Sequence, residues 1–431
     1  MSVIGALGLS FIISIIVGIP ISFGLGISSI VAMLLAGELE PLTIMVARTF
    51  RGLDSYPLMA IPLFMLSGEL MGISITRRLI DLAQSLIGWL RGGLAYVVVL
   101  TSMFFGAITG VGVAAVVAIG SIMIPAMKDK GYNAEFAASV CGSSAVMGPI
   151  IPPSVPMVIY ASAVGGSVSI AALFMAGVVP GVLLGLSIMI ASYYVMKKKN
   201  YPMEQIPFTF KGLFKALRNA IWALGMPLII VGGIMLGFFT ATEAAAVAVV
   251  YAAVVGLFIQ RDLKIRDLPK FLLRSGIVTS TVMFLIAISR VVSWILTVEN
   301  VPALIANILL SISSSPIVFM LIVTVMLLIV GCFLDPGAAI IMLAPILAPI
   351  ATEFGIHPIH FALAMLLNLQ IGMITPPVGV ILFVVTTLAK STFERIVEEM
   401  IPFIVASAVS LLLVVLFPIL STWIPGLLGL C

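Results

Sequence analysis

Two proline pairs set in apolar text are the residues of this sequence whose chemistry most needs explaining. Pro152-Pro153 lies within Gly148-Pro-Ile-Ile-Pro-Pro-Ser154, and Pro376-Pro377 within Thr375-Pro-Pro-Val-Gly379. A proline inside a helix removes a donor and clashes with the preceding turn, so two in succession break it. In hydrocarbon, a broken backbone survives only where it is buried in protein or lines a polar cavity. Carbonyls freed before each break suit a small hard cation such as sodium, which takes oxygen ligands. N–H groups at a helix start just after the break suit an anion.

Polar side chains gather around both pairs: Ser143, Ser144 and Ser154 at the first, Asn368, Gln370 and Thr375 at the second. A lone Ser or Thr in a membrane helix is ordinarily bonded to its own helix or packed on a neighbour. Asn and Gln cost more to bury, and the whole group centred on two breaks reads as a site. The sequence therefore predicts each pair to be the tip of a re-entrant hairpin, around residues 136–165 and 360–389. Gly106-Ala-Ile-Thr109-Gly-Val-Gly112 and Gly331-Cys-Phe-Leu-Asp335-Pro-Gly337 are expected to close on these tips, either as unwound backbone or by close packing through small residues.

Four ionisable residues stand in apolar surroundings: Glu69, Glu243, Arg290 and Asp335. Each is a functional candidate by default, since charge at the bilayer centre is costly. Asp335 is nearest the breaks, as a cation ligand or a proton carrier. Glu243 reads as an interfacial turn residue. Glu69 and Arg290 anchor helices or face a partner. His357 and His360 lack a third ligand and read as a short polar loop, and Cys141, Cys332 and Cys431 read as small apolar fillers. No GxxxxGK[ST], HExxH or GxSxG motif occurs, so the chain reads as a non-enzyme.

The elements that must hold these residues are membrane helices. Hydrophobic residues make up 62% and charged residues 9% of 431, against about 45–50% and 25% in soluble domains. Soluble enzyme classes are excluded on that ground, and the net charge of +4 is no nucleic-acid signature. Runs of apolar residues predict an all-α polytopic protein in a lipid bilayer, with about eleven crossings plus two interrupted elements. The run 3–36 divides around Gly18, Pro20 and Gly24, and the run 220–259 around Thr240, Thr242 and Glu243. Basic clusters at Lys197–Lys199, Lys211, Lys215 and Arg218, and from Arg261 to Arg274, mark cytoplasmic connectors. Trp89, Trp222, Trp294 and Trp423 fall near segment ends, as interfacial aromatics do.

The breaks recur. At an offset of 224, Pro125 answers to Pro349, Gly131 to Gly355, Gly148 to Gly372, Pro152 to Pro376 and Pro153 to Pro377. Residues 60–71 answer more loosely to the 284–290 region. Two halves follow, 1–196 and 220–431, joined by a basic connector at 197–219. Inversion of the halves is favoured, because a carrier needs equivalent gates on both sides.

At this point the text resembles a known family, the large membrane subunit of tripartite ATP-independent periplasmic (TRAP) transporters. The resemblance rests on AIPLFMLSGELM at 60–71, AAVVAIGSIMIPAMKDKGY at 114–132, GPIIPPSVP at 148–156, GFFTATEAAAVAVVYA at 237–252 and ITPPVGVILFVV at 374–385. It implies an elevator-type carrier in a bacterial inner membrane, taking up organic acid anions on a cation gradient, usually sodium. It also implies two partners, a small four-helix membrane subunit and a periplasmic substrate-binding protein. No four-helix segment precedes the matching text, so the small subunit is expected as a separate chain.

Carried over, the resemblance puts a cation near Ser143, Ser144 and Gly148 in one half and near Asn368, Gly372, Thr375 and Pro376 in the other. Thr109 and Asp335 close these sites. The substrate carboxylate is expected between the tips, at Pro152, Pro153, Ser154, Pro377 and Gly379. Thr109-Gly-Val-Gly112 stands where such subunits are commonly richer in serine, which leaves open whether hydroxyls take part there. The resemblance also implies a fold similar to the wider ion-transporter superfamily, and the competing reading is a stand-alone dicarboxylate/sodium symporter or exchanger of that superfamily, working without a binding protein.

Overall fold

A computed structural model describes residues 3–35, 41–201, 207–312 and 315–430. It is helical throughout those residues. The first helices are α1 (Val3–Ile16), α2 (Ile21–Leu35), α3 (Pro41–Leu53) and α4 (Ala60–Ile87). Then come α5 (Gly93–Thr109), α6 (Gly112–Asp129), α7 (Ala134–Ala145), α8 (Val155–Ala163) and α9 (Ile170–Lys198). They are followed by α10 (Phe210–Met235), α11 (Ala241–Val254), α12 (Leu268–Val298) and α13 (Val301–Ile312). The last are α14 (Pro316–Phe333), α15 (Pro336–Glu353), α16 (Pro358–Gly372), α17 (Val380–Ala389), α18 (Phe393–Leu416) and α19 (Ile419–Leu427).

Among the described residues, eight helices are long and apolar enough to cross a membrane, or nine if the bent pair Tyr56–Gly72 and Ile75–Ile87 is one span. Five more apolar helices have 10–17 residues, among them α5, α16 and α17. Leu186 and Ile190 on α9, Leu228 on α10 and Val405 and Val409 on α18 are exposed. Apolar surface of this extent suits lipid.

Local chemistry explains where the long runs divide. The run 220–259 breaks between α10 and α11 at a capping box, in which Thr240 caps the Glu243 N–H and the Glu243 carboxylate accepts from the Thr240 N–H at 2.8 Å. Glu243 therefore serves a helix start. The run 3–36 breaks at Gly18, whose φ of +83° suits glycine, followed by Pro20.

The proline pairs correct the sequence reading. Phe136, early in α7, lies 5.0 Å from the Tyr201 ring, just past the end of α9. Ser162, at the end of α8, lines a cavity with Ser169 and Ile170 at the start of α9. α9 has 29 residues, about 43 Å at 1.5 Å per residue. So α7 begins at one face and α8 ends at the other. In the second half, His360 Nδ1 meets Ser421 Oγ at 2.9 Å, and Ser391 Oγ donates to Glu135 at 2.6 Å. Ser391 and Ser421 flank the 24 residues of α18, so α16 and α17 also run from face to face. Neither pair packs side by side. The segments 136–165 and 360–389 are crossings broken in the middle, not re-entrant hairpins.

The chain turns back elsewhere. The start of α5 at Gly92 touches Met196, and Tyr132 beyond α6 lies 5.6 Å from Tyr201, so both ends of α5–α6 sit at the C-terminal end of α9. Phe319 early in α14 stacks on Phe354 after α15, with centroids 4.6 Å apart. Two prolines remove hydrogen bonds without dictating a reversal. The first reversal is made at Gly110 with φ +63°, a left-handed turn that glycine permits, and the second at Leu334-Asp335.

The α5–α6 pair opens toward the face holding Lys197 and Lys198, where Lys199 pairs with Glu399 near the start of α18. The α14–α15 pair opens toward the other face, with Ser421. Helix bounds repeat at the offset of 224: α6 and α15 coincide at both ends, and α7 and α16 at their starts.

Candidate functional site

Glycines let each hairpin press on a broken crossing. Gly106 of α5 packs directly on Gly148, and a Cβ on Gly110 would lie 2.8 Å from the Pro153 carbonyl. In the other half a Cβ on Gly372 would lie 2.5 Å from the Gly331 carbonyl carbon, and the Gly379 N–H donates to the Cys332 carbonyl at 3.0 Å. Backbone approaches backbone at both places, as small residues allow between membrane helices.

Both units border one cavity of about 1160 Å³. Thr109, Gly112, Pro149, Val155 and Pro156 line it from the first half; Asp335, Gly337, Gln370 and Met373 line it from the second. Three helices begin on its wall: α6, α8 and α15. Ser154 starts α8 by accepting from the Met157 N–H at 3.3 Å while donating to the Pro149 carbonyl. Asp335 starts α15 by accepting from the Gly337 N–H at 2.9 Å. Helix starts converging on one cavity present N–H groups and positive dipole ends to whatever occupies it. The mouth carries the pair Arg78–Asp262 at 2.8 Å and Arg274 3.8 Å from Glu69. Such partly exposed pairs add little stability. They place the mouth at the face of the basic connectors.

The residues singled out in the sequence fall into three groups. Thr109 and Asp335 line the cavity. Ser143, Ser144 and Thr375 are bonded back to their own helices, at 2.8 Å to Ser139, 2.6 Å to Val140 and 2.8 Å to Ile371. Their lone pairs stay available, their protons do not. Asn368 spends its amide N–H on the Ala364 carbonyl at 2.8 Å, leaving its buried Oδ1 without a donor. Gly148 and Gly372 are packing contacts between units. Pro152-Pro153 and Pro376-Pro377 are cis peptides, and with Ser154 and Gly379 they shape the breaks without lining the cavity. Gln370, read from the sequence as one of the polar group at the second break, lines the cavity with a buried, unpartnered Oε1.

A second cavity, of about 1180 Å³, opens at the opposite face. Arg48, Arg51, Asp54, Ser162, Arg290 and Trp294 are among its walls. Between the two lies a void of about 10 Å³ bounded by Ile159, Ser289, Arg290 and Ile341, no larger than one water. Arg290 Nη2 donates to the Ser162 carbonyl at 2.6 Å across that partition. Glu69 and Arg290, roughly matched in the repeat, thus serve opposite cavities.

Crossings broken at mid-depth around a central cavity, with hairpins entering from both faces, define an all-helical polytopic membrane protein of the kind that encloses its site between interrupted helices. Over residues 9–420 the sequence matches the family described as the tripartite ATP-independent periplasmic transporter, DctM component, and the chain belongs to that family. It is 41% identical over 407 residues to the C4-dicarboxylate TRAP transporter large permease protein DctM of Pseudomonas aeruginosa, covering 94% of each chain. It is 35% identical over 427 residues to the sialic acid TRAP transporter large permease protein SiaM of Vibrio cholerae, covering 99% of this chain and 98% of that one. Identity to the isethionate TRAP transporter permease protein DctMQ of Oleidesulfovibrio alaskensis is 39% over 418 residues, 97% of this chain and 64% of that protein's length. The crystal structure of the Alcanivorax borkumensis YdaH transporter shares the fold, with a TM-score of 0.58 at 13% identity over 91% of this chain and 90% of that one.

Proposed function

We propose that this chain is the carrier subunit of a TRAP-type uptake system for an organic acid anion, coupled to a cation gradient, most simply sodium. The observation that carries the reading is the cavity onto which α6, α8 and α15 all begin, with Gln370 and Asp335 in its wall. Three helix starts supply N–H donors to a carboxylate without placing a fixed charge in the membrane. The buried Asn368 Oδ1, close in sequence to the second break, supports a hard-cation site there. Relatives carrying C4-dicarboxylates, isethionate and sialic acid support the substrate class.

The matched helix bounds and oppositely opening hairpins support inverted repeats that move as an elevator against the flanking helices. A periplasmic binding protein, a small membrane subunit and a bacterial inner membrane complete the proposal. The length of the isethionate relative supports a small subunit fused in some systems and separate in others.

Uptake into proteoliposomes tests it. This chain and its small partner are reconstituted, and succinate, isethionate and sialic acid are offered with or without a sodium gradient and the binding protein. Uptake that needs both supports the tripartite reading. Sodium-driven uptake without any binding protein replaces it with a stand-alone carrier, and no uptake of any acid overturns it.

A further inference from the structure

The vestibule opposite the main cavity has features that its position alone does not demand. Among the described residues, three arginines, Arg48, Arg51 and Arg290, share it with one carboxylate, Asp54. Arg48 holds its guanidinium 5.7 Å over the Trp294 ring, which keeps a cation at the wall without neutralising it. Ser162 lines the vestibule at 6% exposure, and its Oγ has no hydrogen-bond partner. Arg290 is half-buried on α12 and spends one N–H on the Ser162 carbonyl, in the last turn of α8. That carbonyl lies at the negative end of a short helix, where a cation is favoured. The same α8 begins at the main cavity with Val155 and Pro156. One nine-residue helix therefore separates the two cavities, and its far end is tied to α12 by one charged side chain.

We propose that the vestibule is a carboxylate-binding antechamber in which Arg290 acts as a latch. An arriving carboxylate takes the guanidinium from the Ser162 carbonyl, with Ser162 Oγ as a second donor, and the end of α8 is freed from α12. The exchange is favourable because the carboxylate offers the guanidinium an opposite charge and a bidentate geometry that a single neutral carbonyl does not. The acid itself thereby releases the contact that holds α8 against α12 and frees α8 to move. This inference rests on the reading of the chain as an organic-acid carrier.

The test uses Ser289→Cys, a near-isosteric change in the sealed void, with the native cysteines replaced and the carrier in vesicles with its partner. A membrane-impermeant thiol reagent is applied from the vestibule face. With Arg290 intact, labelling is slow and rises about tenfold when a transported acid is added, as the guanidinium changes partner. With Arg290→Gln, labelling is fast from the start and indifferent to the acid. Ser162→Ala keeps the latch bond, which uses the backbone, and raises KM several-fold at unchanged maximal rate. Labelling that stays slow in Arg290→Gln overturns the latch. Acceleration by the acid that persists in Arg290→Gln overturns the carboxylate exchange. Should the parent take up none of the acids, the carrier reading itself fails, an outcome visible in uptake and separate from the labelling.

Discussion

At the scale of single residues, two glycines that look alike in the repeat carry different loads. Gly148 and Gly372 match at the offset of 224, and each stands where a hairpin meets a break. A methyl group on Gly372 would meet the Gly331 backbone at 2.5–2.9 Å, and backbone cannot step aside. On Gly148 it would meet the Ala145 carbonyl oxygen at 3.3 Å and the Gly106 Cα at 3.5 Å, contacts a small shift relieves. Gly372→Ala is therefore expected to lower stability by about 1–3 kcal/mol, the usual cost of overpacking. It should abolish most uptake, while Gly148→Ala keeps much of both. Thermal unfolding in detergent, read beside uptake, checks the order, and equal tolerance at the two positions contradicts the close approach. At this scale the sequence was informative where a residue type is demanding. Asp335 and Thr109, singled out by type and setting, stand in the cavity wall. Arg48 and Arg51 were passed over because a basic amphipathic segment such as α3 has no feature of its own to say that it rims a cavity. Gln370 was legible as one of the polar group at the second break, but its unpartnered Oε1 in the cavity wall depends on packing, which only the structure reveals.

At the scale of elements, α7–α8 is one crossing broken in the middle. Asn133 precedes α7 and Ser167 follows α8, and both are exposed. Cysteines at these two positions are predicted to react with an impermeant thiol reagent from opposite faces, Asn133→Cys from the face of the basic connectors. Reaction of both from one face would restore the re-entrant hairpin. The positions of the breaks could be read from the sequence because Pro-Pro cannot continue a helix. Their consequence could not. Whether a chain turns back or runs on after a break is decided by the helices on either side, here by Phe136 against Tyr201 and His360 against Ser421. The true reversals lie at Gly110 and Leu334-Asp335, in segments the sequence offered only as neighbours of the site. By contrast, the Thr240–Glu243 capping box is a local signal, and the split it predicts between α10 and α11 is found.

At the scale of the whole molecule, the two large cavities and the small void between them describe a carrier closed on one face and open on the other. The open cavity has its mouth among Arg78, Asp262 and Arg274, at the face of the basic connectors, and the partition is α8 held by Arg290. Charge serves two purposes here. Arginines at the mouth and in the vestibule draw an anion toward either face by long-range attraction, which salt weakens. The deep wall instead relies on helix starts. The open state and the substrate position are tested together by one cysteine at Val155, the first residue of α8, in the wall of the cavity. Val155→Cys is expected to be labelled by an impermeant reagent from the face of the basic connectors, and the transported acid with sodium to protect it. Labelling only from the vestibule face, or labelling the acid leaves unchanged, would contradict it.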